Sequence, residues 1–307
     1  MNSPPFSSEN FSSAPSNSRS NPPSKKPSSP ARALTIAGSD SGGGAGIQAD
    51  LKTFTLLGVF GLSAVTALTV QNTLGVHRIM GIPEDFVQQQ LTSVLEDIGA
   101  DAIKTGMLWS QGIIEVVADT LKGKIFPDKS FPGKSLPDKN LPLVIDPVLA
   151  AKRGELLLQP EAIPVLKQRL FPLASLVTPN IPEAEVLSGI SPLASLEQIK
   201  KAAEKIVNCW GAKSVLIKGG HLPGQGQIFD FFFDGVECMI FEKERLPNQY
   251  THGVGCTLAA AITAYLAHGL EMVEAIQKAQ KFIKEAIQSS LPLGQGIGPI
   301  NVRITEM

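Results

Sequence analysis

Cysteine is scarce in this chain. Its 307 residues contain three, Cys209, Cys238 and Cys256, with no C-x-x-C pair, and the four histidines fall at no metal-ligand spacing. That excludes a zinc site and a disulfide framework, and an odd, sparse set of thiols suits a reducing, cytoplasmic setting. An excess of charge of either sign is also missing. Lys and Arg number 27 against 28 Asp and Glu, a formal net charge of -1, which offers no general attraction for nucleic acid or an anionic membrane. No run reaches the roughly 18 apolar residues of a spanning helix; even the Ala-rich stretch after Cys256 is broken by Thr263 and His268.

Residues 1–31 have almost no aliphatic side chains and are dominated by Ser, Pro and Asn, so they read as a disordered tail. The tail lacks the apolar centre of a secretory signal, while its serines, Arg19, Lys25, Lys26 and single acid Glu9 also fit an organellar transit peptide. Residues 32–307 read as one α/β domain. Within it, Lys122–Pro142 repeats a short Pro- and Lys-containing unit (Phe126-Pro127-Asp128-Lys129-Ser130 and its two successors) that can be neither helix nor central strand, and is expected as an exposed insertion.

From Ala33 onward, short apolar runs alternate with amphipathic ones. Strands are predicted at 34–37, 62–70, 102–104, 143–146, 175–178 and 214–218, and helices at 47–57, 84–98 and 271–290. The 84–98 helix is expected to bury Phe86, Val87, Leu91, Val94, Leu95 and Ile98. Phe229–Phe233 and Val236–Phe241 flank Asp234-Gly235, a signal for a hairpin with a tight turn. The alternation predicts a mostly parallel sheet covered on both faces, with ligands at the carboxyl ends of its strands.

The polar words fall at those strand ends. Gly38-Ser39-Asp40 leads into four glycines, Gly42, Gly43, Gly44 and Gly46. This loop carries neither the Gly-Lys-Ser/Thr of a P-loop nor a clean dinucleotide fingerprint, and suits closure over a small ligand. Gln71 could offer donor and acceptor to a planar heterocycle and Met107 could pack on its face. Asp146 ends one strand, and Asn180-x-x-Glu183 follows the next. These acids suit magnesium beside phosphates, although Asn180 and Glu183 also spell a helix capping box. Lys218 supplies a cation at a further strand tip. Thr251-His252-Gly253-Val254-Gly255-Cys256 opens the Ala-rich helix, whose free amides and dipole make an anion site and would lower the Cys256 pKa.

Taken in order, these words resemble the hydroxymethylpyrimidine and phosphomethylpyrimidine kinases of thiamine biosynthesis, in the ribokinase-like superfamily. The matching stretches are 34–40, 43–53, 70–73, 104–108, 177–184, 218–221 and 251–258. The resemblance implies a three-layer α/β/α fold with a short β-hairpin addition, and a homodimer. It also implies transfer of the γ-phosphoryl of ATP, with Mg2+ and a monovalent cation, to 4-amino-5-hydroxymethyl-2-methylpyrimidine and then to its monophosphate. By the same resemblance Asp50, Gln71, Met107, Val148, Gly38 and Ala45 surround the pyrimidine. Cys256 takes the position of the catalytic base at the turn formed by Gly253 and Gly255. Asp146 and Glu183 attend the metal, and Lys218, Asn180, Glu183 and Thr251 the ATP phosphates.

One position departs from the family pattern. Val254 stands where Thr is usual, which removes a hydroxyl from the anion pocket and leaves its backbone amides. The nearest rival is a pyridoxal or pyridoxine kinase of the same superfamily, since both substrates are methylated nitrogen heterocycles bearing a hydroxymethyl group. A non-catalytic pyrimidine sensor would be favoured by loss of the base or magnesium positions, and those are present.

Overall fold

The structure is a computed structural model and describes residues 29–125, 141–219, 227–244, 246, 250–290 and 292–302. Almost all of the predicted tail and the core of the Pro-rich insertion, residues 126–140, lie outside the described residues, as do Gly220 and His221.

Among the described residues nine strands form one sheet in the order β3-β2-β1-β4-β5-β6-β7-β8-β9. The six from β2 to β7 are β1 (Arg32–Ser39), β2 (Phe60–Asn72), β4 (Ala102–Thr105), β5 (Leu143–Ile145), β6 (Leu176–Val177) and β7 (Val215–Lys218), and they run parallel. At one edge β3 (Gly75–Gly81) returns antiparallel along β2, and at the other β8 (Gln227–Phe233) and β9 (Cys238–Glu244) form an antiparallel hairpin.

Period-two alternation divides the strand side chains between two layers. Leu34, Ile36, Ile103 and Ile145 pack toward the face covered by α2 (Glu84–Asp97), α3 (Gln111–Ile125), α4 (Ala162–Val165), α5 (Ile181–Ser188) and α6 (Leu196–Asn208). Ala33, Ala102, Val144 and Leu176 face α1 (Gly46–Leu56), α7 (Val254–Ala267) and α8 (Met272–Gln288). Ala259, Ala260, Ala261 and Ala264 of α7 are fully buried. Small side chains let that helix lie close beneath the sheet and put its first turn at the strand tips.

Three sequence expectations need correction, and one strand lies outside them. Phe86 is 55% exposed and Ile98, the C-cap, 39%, because the buried stripe of α2 is Val87, Leu91 and Leu95 and both lie outside it. Helix α3 continues through Lys122 to Ile125, where Leu121 and Ile125 remain in the core; the first proline comes only at 127, so the insertion starts later than its repeat suggests. The β8–β9 connection is four residues, with Phe233 paired to Cys238, and the Asp234 carboxylate accepts from the amides of Val236 and Glu237. A two-residue turn would have left those amides without that acceptor. Strand β3 was not anticipated, its mix of exposed His77, Arg78 and Met80 being typical of an edge.

Candidate active site

The tips of the parallel strands and the first turn of α7 line a single cleft. Gly253 begins that turn in the left-handed region, φ 84°, and a Cβ there would overlap the Gly44 carbonyl oxygen, so at this point the two glycine loops meet backbone to backbone. Asp40 holds the first loop in shape: its carboxylate accepts from the amides of Gly42 (2.8 Å), Gly44 (3.1 Å) and Ala45 (2.8 Å). It also accepts from His252 at 2.9 Å, which places the ring hydrogen on Nε2 because a carboxylate can only accept. Burial opposes the Asp40 charge, but His252 and those amides outweigh it and lower the pKa. The Gln71 amide lies 3.4 Å from the same His252 nitrogen.

Cys256 is the third residue of α7, and the amide of Gly46, the first residue of α1, faces its sulfur and favours the ionised form. Two helix amino ends therefore converge on one thiol. The lowered pKa expected from that field is nevertheless reversed. Desolvation, with the charges of Asp146 and Asp50, pushes the Cys256 pKa up to about 11 and prevails over Lys104 and the Gly46 amide.

On the nucleotide side, Lys218 pairs with Asp146 at 2.9 Å, and Thr178 donates to the same carboxylate oxygen at 3.2 Å. The second Asp146 oxygen faces the backbone of Gly255. Burial works against the Lys218 ammonium, but Asp146 and Glu183 prevail and raise its pKa. Asn180 and Glu183 do form a capping box at α5: the Asn180 side chain accepts from the Glu183 amide (2.9 Å), and Glu183 accepts from the Asn180 amide (2.8 Å). Burial first, then Asp146, raises Glu183 to about 7 despite the nearby Lys218. Two acids beside a lysine fit magnesium held mainly by substrate phosphates and water, and the described residues contain no cluster of three or more His, Cys, Asp or Glu that could form a protein cage.

On the opposite side, Met107 packs its sulfur over Gly38, and its carbonyl accepts from Thr66 Oγ1 (2.6 Å) and the Gly38 amide (3.1 Å). Gly38, Ala45, Gln71, Met107, Val148, Asp146, Asn180, Glu183, Lys218, Gly253, Gly255 and Cys256 all line the cleft.

Asp50 and Thr251 do not. Asp50 is wholly buried behind the cleft wall, where it accepts from Lys104 (2.7 and 2.8 Å) and Thr35 (2.6 Å). A carboxylate so enclosed balances the Lys104 charge and has no free face for a pyrimidine. Thr251 gives its carbonyl and hydroxyl to the Lys152 ammonium.

The sequence model of one family, described as phosphomethylpyrimidine kinase, matches residues 40–301. The chain belongs to this kinase family. It is 46% identical over 270 residues to the hydroxymethylpyrimidine/phosphomethylpyrimidine kinase of Bacillus subtilis strain 168, a match covering 88% of this chain and 94% of the relative. The phosphomethylpyrimidine kinase of Clostridium difficile 630 superposes with a TM-score of 0.70 at 41% identity, over 83% of this chain and 99% of that one. An ADP complex of Bacillus subtilis pyridoxal kinase superposes with a TM-score of 0.77, also at 41% identity, over 89% and 97% of the two chains. The fold is therefore ribokinase-like, and the protein is a phosphotransferase of the pyrimidine kinase type.

Four cleft residues of this phosphomethylpyrimidine kinase family member escaped the sequence reading as site residues: Asp40, Lys104, Lys152 and His252. His252 had a local signal, since it adjoins Gly253. Asp40 read as a helix cap, and nothing in spacing links positions 40 and 252.

Proposed function

We propose that the protein transfers the γ-phosphoryl group of ATP to the hydroxymethyl oxygen of 4-amino-5-hydroxymethyl-2-methylpyrimidine, and then to the resulting monophosphate, giving the diphosphate for thiamine synthesis. The observation that carries this reading is the convergence of the α1 and α7 amino ends on Cys256. It occurs in a cleft with heterocycle-sized groups, Gln71 and Met107, on one side and Asp146, Glu183 and Lys218 on the other. Phosphoryl transfer asks mainly for positioning and for neutralisation of charge on the moving group, and converging helix amides with a lysine supply both.

In this reading Gln71, Met107 and Val148 hold the ring, and the backbone of Gly253 and Gly255 faces the transferring phosphate. Asp146 and Glu183 would hold Mg2+, which supplies charge neutralisation at the ATP phosphates. Cys256 orients the alcohol and takes its proton in the ionised fraction, about one molecule in 10^4 at pH 7 for a thiol of pKa about 11. Asp50 supports the wall through Lys104 and does not touch substrate. The exposed side chains Leu68, Val70 and Met80 lie together on the β2–β3 ribbon and support a homodimer; no helix among the described residues is long and apolar enough to cross a membrane, and a cytoplasmic location is part of the same proposal.

The test is incubation with ATP, Mg2+ and either the hydroxymethylpyrimidine or pyridoxal, followed by mass measurement of the products. Pyrimidine mono- and diphosphate are expected. Turnover of pyridoxal alone would overturn the assignment in favour of the activity named for the Bacillus subtilis pyridoxal kinase.

A further inference from the structure

Between β5 and α4 the chain folds back as a narrow loop. Ala150 and Leu156 pair antiparallel, and the Ala151 amide donates to the Glu155 carbonyl at 2.8 Å. Its tip carries Lys152 and Arg153, and both line the cleft. The loop reaches toward the β2–β3 ribbon, where Glu155 accepts from the Val76 amide at 3.4 Å, so it lies over the half of the cleft that contains Gln71. Lys218 ends β7, and Asn180 and Glu183 belong to the start of α5, which follows β6, further along the sheet.

The cations of the cleft differ in what they have left to offer. Lys104 is neutralised by Asp50, and Lys218 by Asp146. Among the described residues no carboxylate forms an ion pair with Lys152 or Arg153, and the Lys152 ammonium bonds only to the carbonyl and hydroxyl of Thr251, two residues before the N-cap of α7. Lys152 keeps access to water through the cleft mouth, yet the surrounding protein desolvates it enough to lower its pKa to about 8, with no anion to restore it.

The two acceptors of the proposed reaction differ chiefly in charge. The alcohol is neutral, whereas the monophosphate brings about 1.5 to 2 negative charges at pH 7. Converging helix amides and Lys218 face the ATP phosphates in both steps. Only the second step adds an anion, on the pyrimidine side of Cys256.

Resting on the kinase reading above, we propose that Lys152, with Arg153 beside it, is the specificity residue for the second phosphorylation and holds the phosphate already attached to the pyrimidine. In that step a monophosphate oxygen attacks the γ-phosphorus of ATP. A new P–O–P bond forms, the bond from the γ-phosphorus to the β-bridging oxygen breaks, and ADP leaves with that electron pair. Lys152 offsets the charge of the attacking group and keeps it beside the α7 amino end.

The test compares kcat/KM for the alcohol and for the monophosphate in the wild type, Lys152→Met, Lys152→Arg and Arg153→Met, with thermal melting to check folding. In Lys152→Met the ratio of monophosphate to alcohol efficiency is expected to fall tenfold or more, mainly through KM, as for loss of one charged hydrogen bond. Lys152→Arg should keep the ratio within about threefold, and Arg153→Met should lower it by a smaller factor. An unchanged ratio overturns the proposal. So does an equal loss with both acceptors, which would place Lys152 on the ATP phosphate or make it only a support for Thr251. A wild type inactive on both pyrimidines would overturn the kinase reading itself, a result distinct from either.

Discussion

Cys256 is where local reasoning and the folded environment part company. A thiol three residues into a helix should ionise easily, and that inference used only what lies next to it in the chain. The opposing influences come from elsewhere: burial between α1 and α7, and the carboxylates Asp146 and Asp50, 110 and 206 residues upstream in the numbering. The consequence can be measured. At pH 7.5, iodoacetamide should label the exposed Cys209 and Cys238 well before Cys256, as read by peptide mass. Cys256→Ala should lower kcat at least tenfold with little change in pyrimidine KM. Preferential labelling of Cys256, or full turnover in the variant, would contradict this account. Asp50 shows the limit of resemblance: the family pattern implied an acid facing the pyrimidine at position 50, and only its partner Lys104, 54 residues away, reveals that it faces inward.

Among the elements, the start of α5 was legible in the sequence. Asn180 and Glu183 spell a capping box, and both hydrogen bonds are present. The cap does not exhaust the role of Glu183, whose carboxyl is raised from 4.5 to about 7 by burial and Asp146. Between about pH 4.5 and 7 the native state therefore keeps a proton that the unfolded chain has released. Stability should fall as pH rises through that window and level off above it. Glu183→Gln retains an acceptor for the Asn180 amide but cannot ionise, so the urea midpoint of the variant should change less between pH 5 and 7.5 than that of the wild type. Coincident slopes would show that the native carboxyl titrates at its ordinary value. The edge strand β3 was harder to read, because an edge needs no buried alternation, and its polar and apolar residues look like loop.

At the scale of the whole molecule, alternation of short apolar runs with helical stripes sufficed for the parallel sheet, because parallel strands buried on both faces are mostly apolar and leave few alternatives. What alternation cannot disclose is which loops meet. Asp40 and His252 are joined across the chain at 2.9 Å, and the pair ties the glycine loop after β1 to the turn before α7. A double-mutant cycle with Asp40→Asn and His252→Gln, followed by urea unfolding, should return a coupling of about 0.5 to 3 kcal/mol. Additive losses would mean that the contact does not link the loops.

The bare backbone contact between Gly44 and Gly253 has a consequence of its own. A single methyl group added at Gly253 would run into the Gly44 carbonyl and act as a wedge, prising the ring-holding wall from the phosphate-holding one, while one at Gly44 would press on the His252 ring and Pro299. Distance along the polypeptide gives those two walls no insulation from each other: whatever reshapes the pocket for a new vitamin precursor also re-aims the donor.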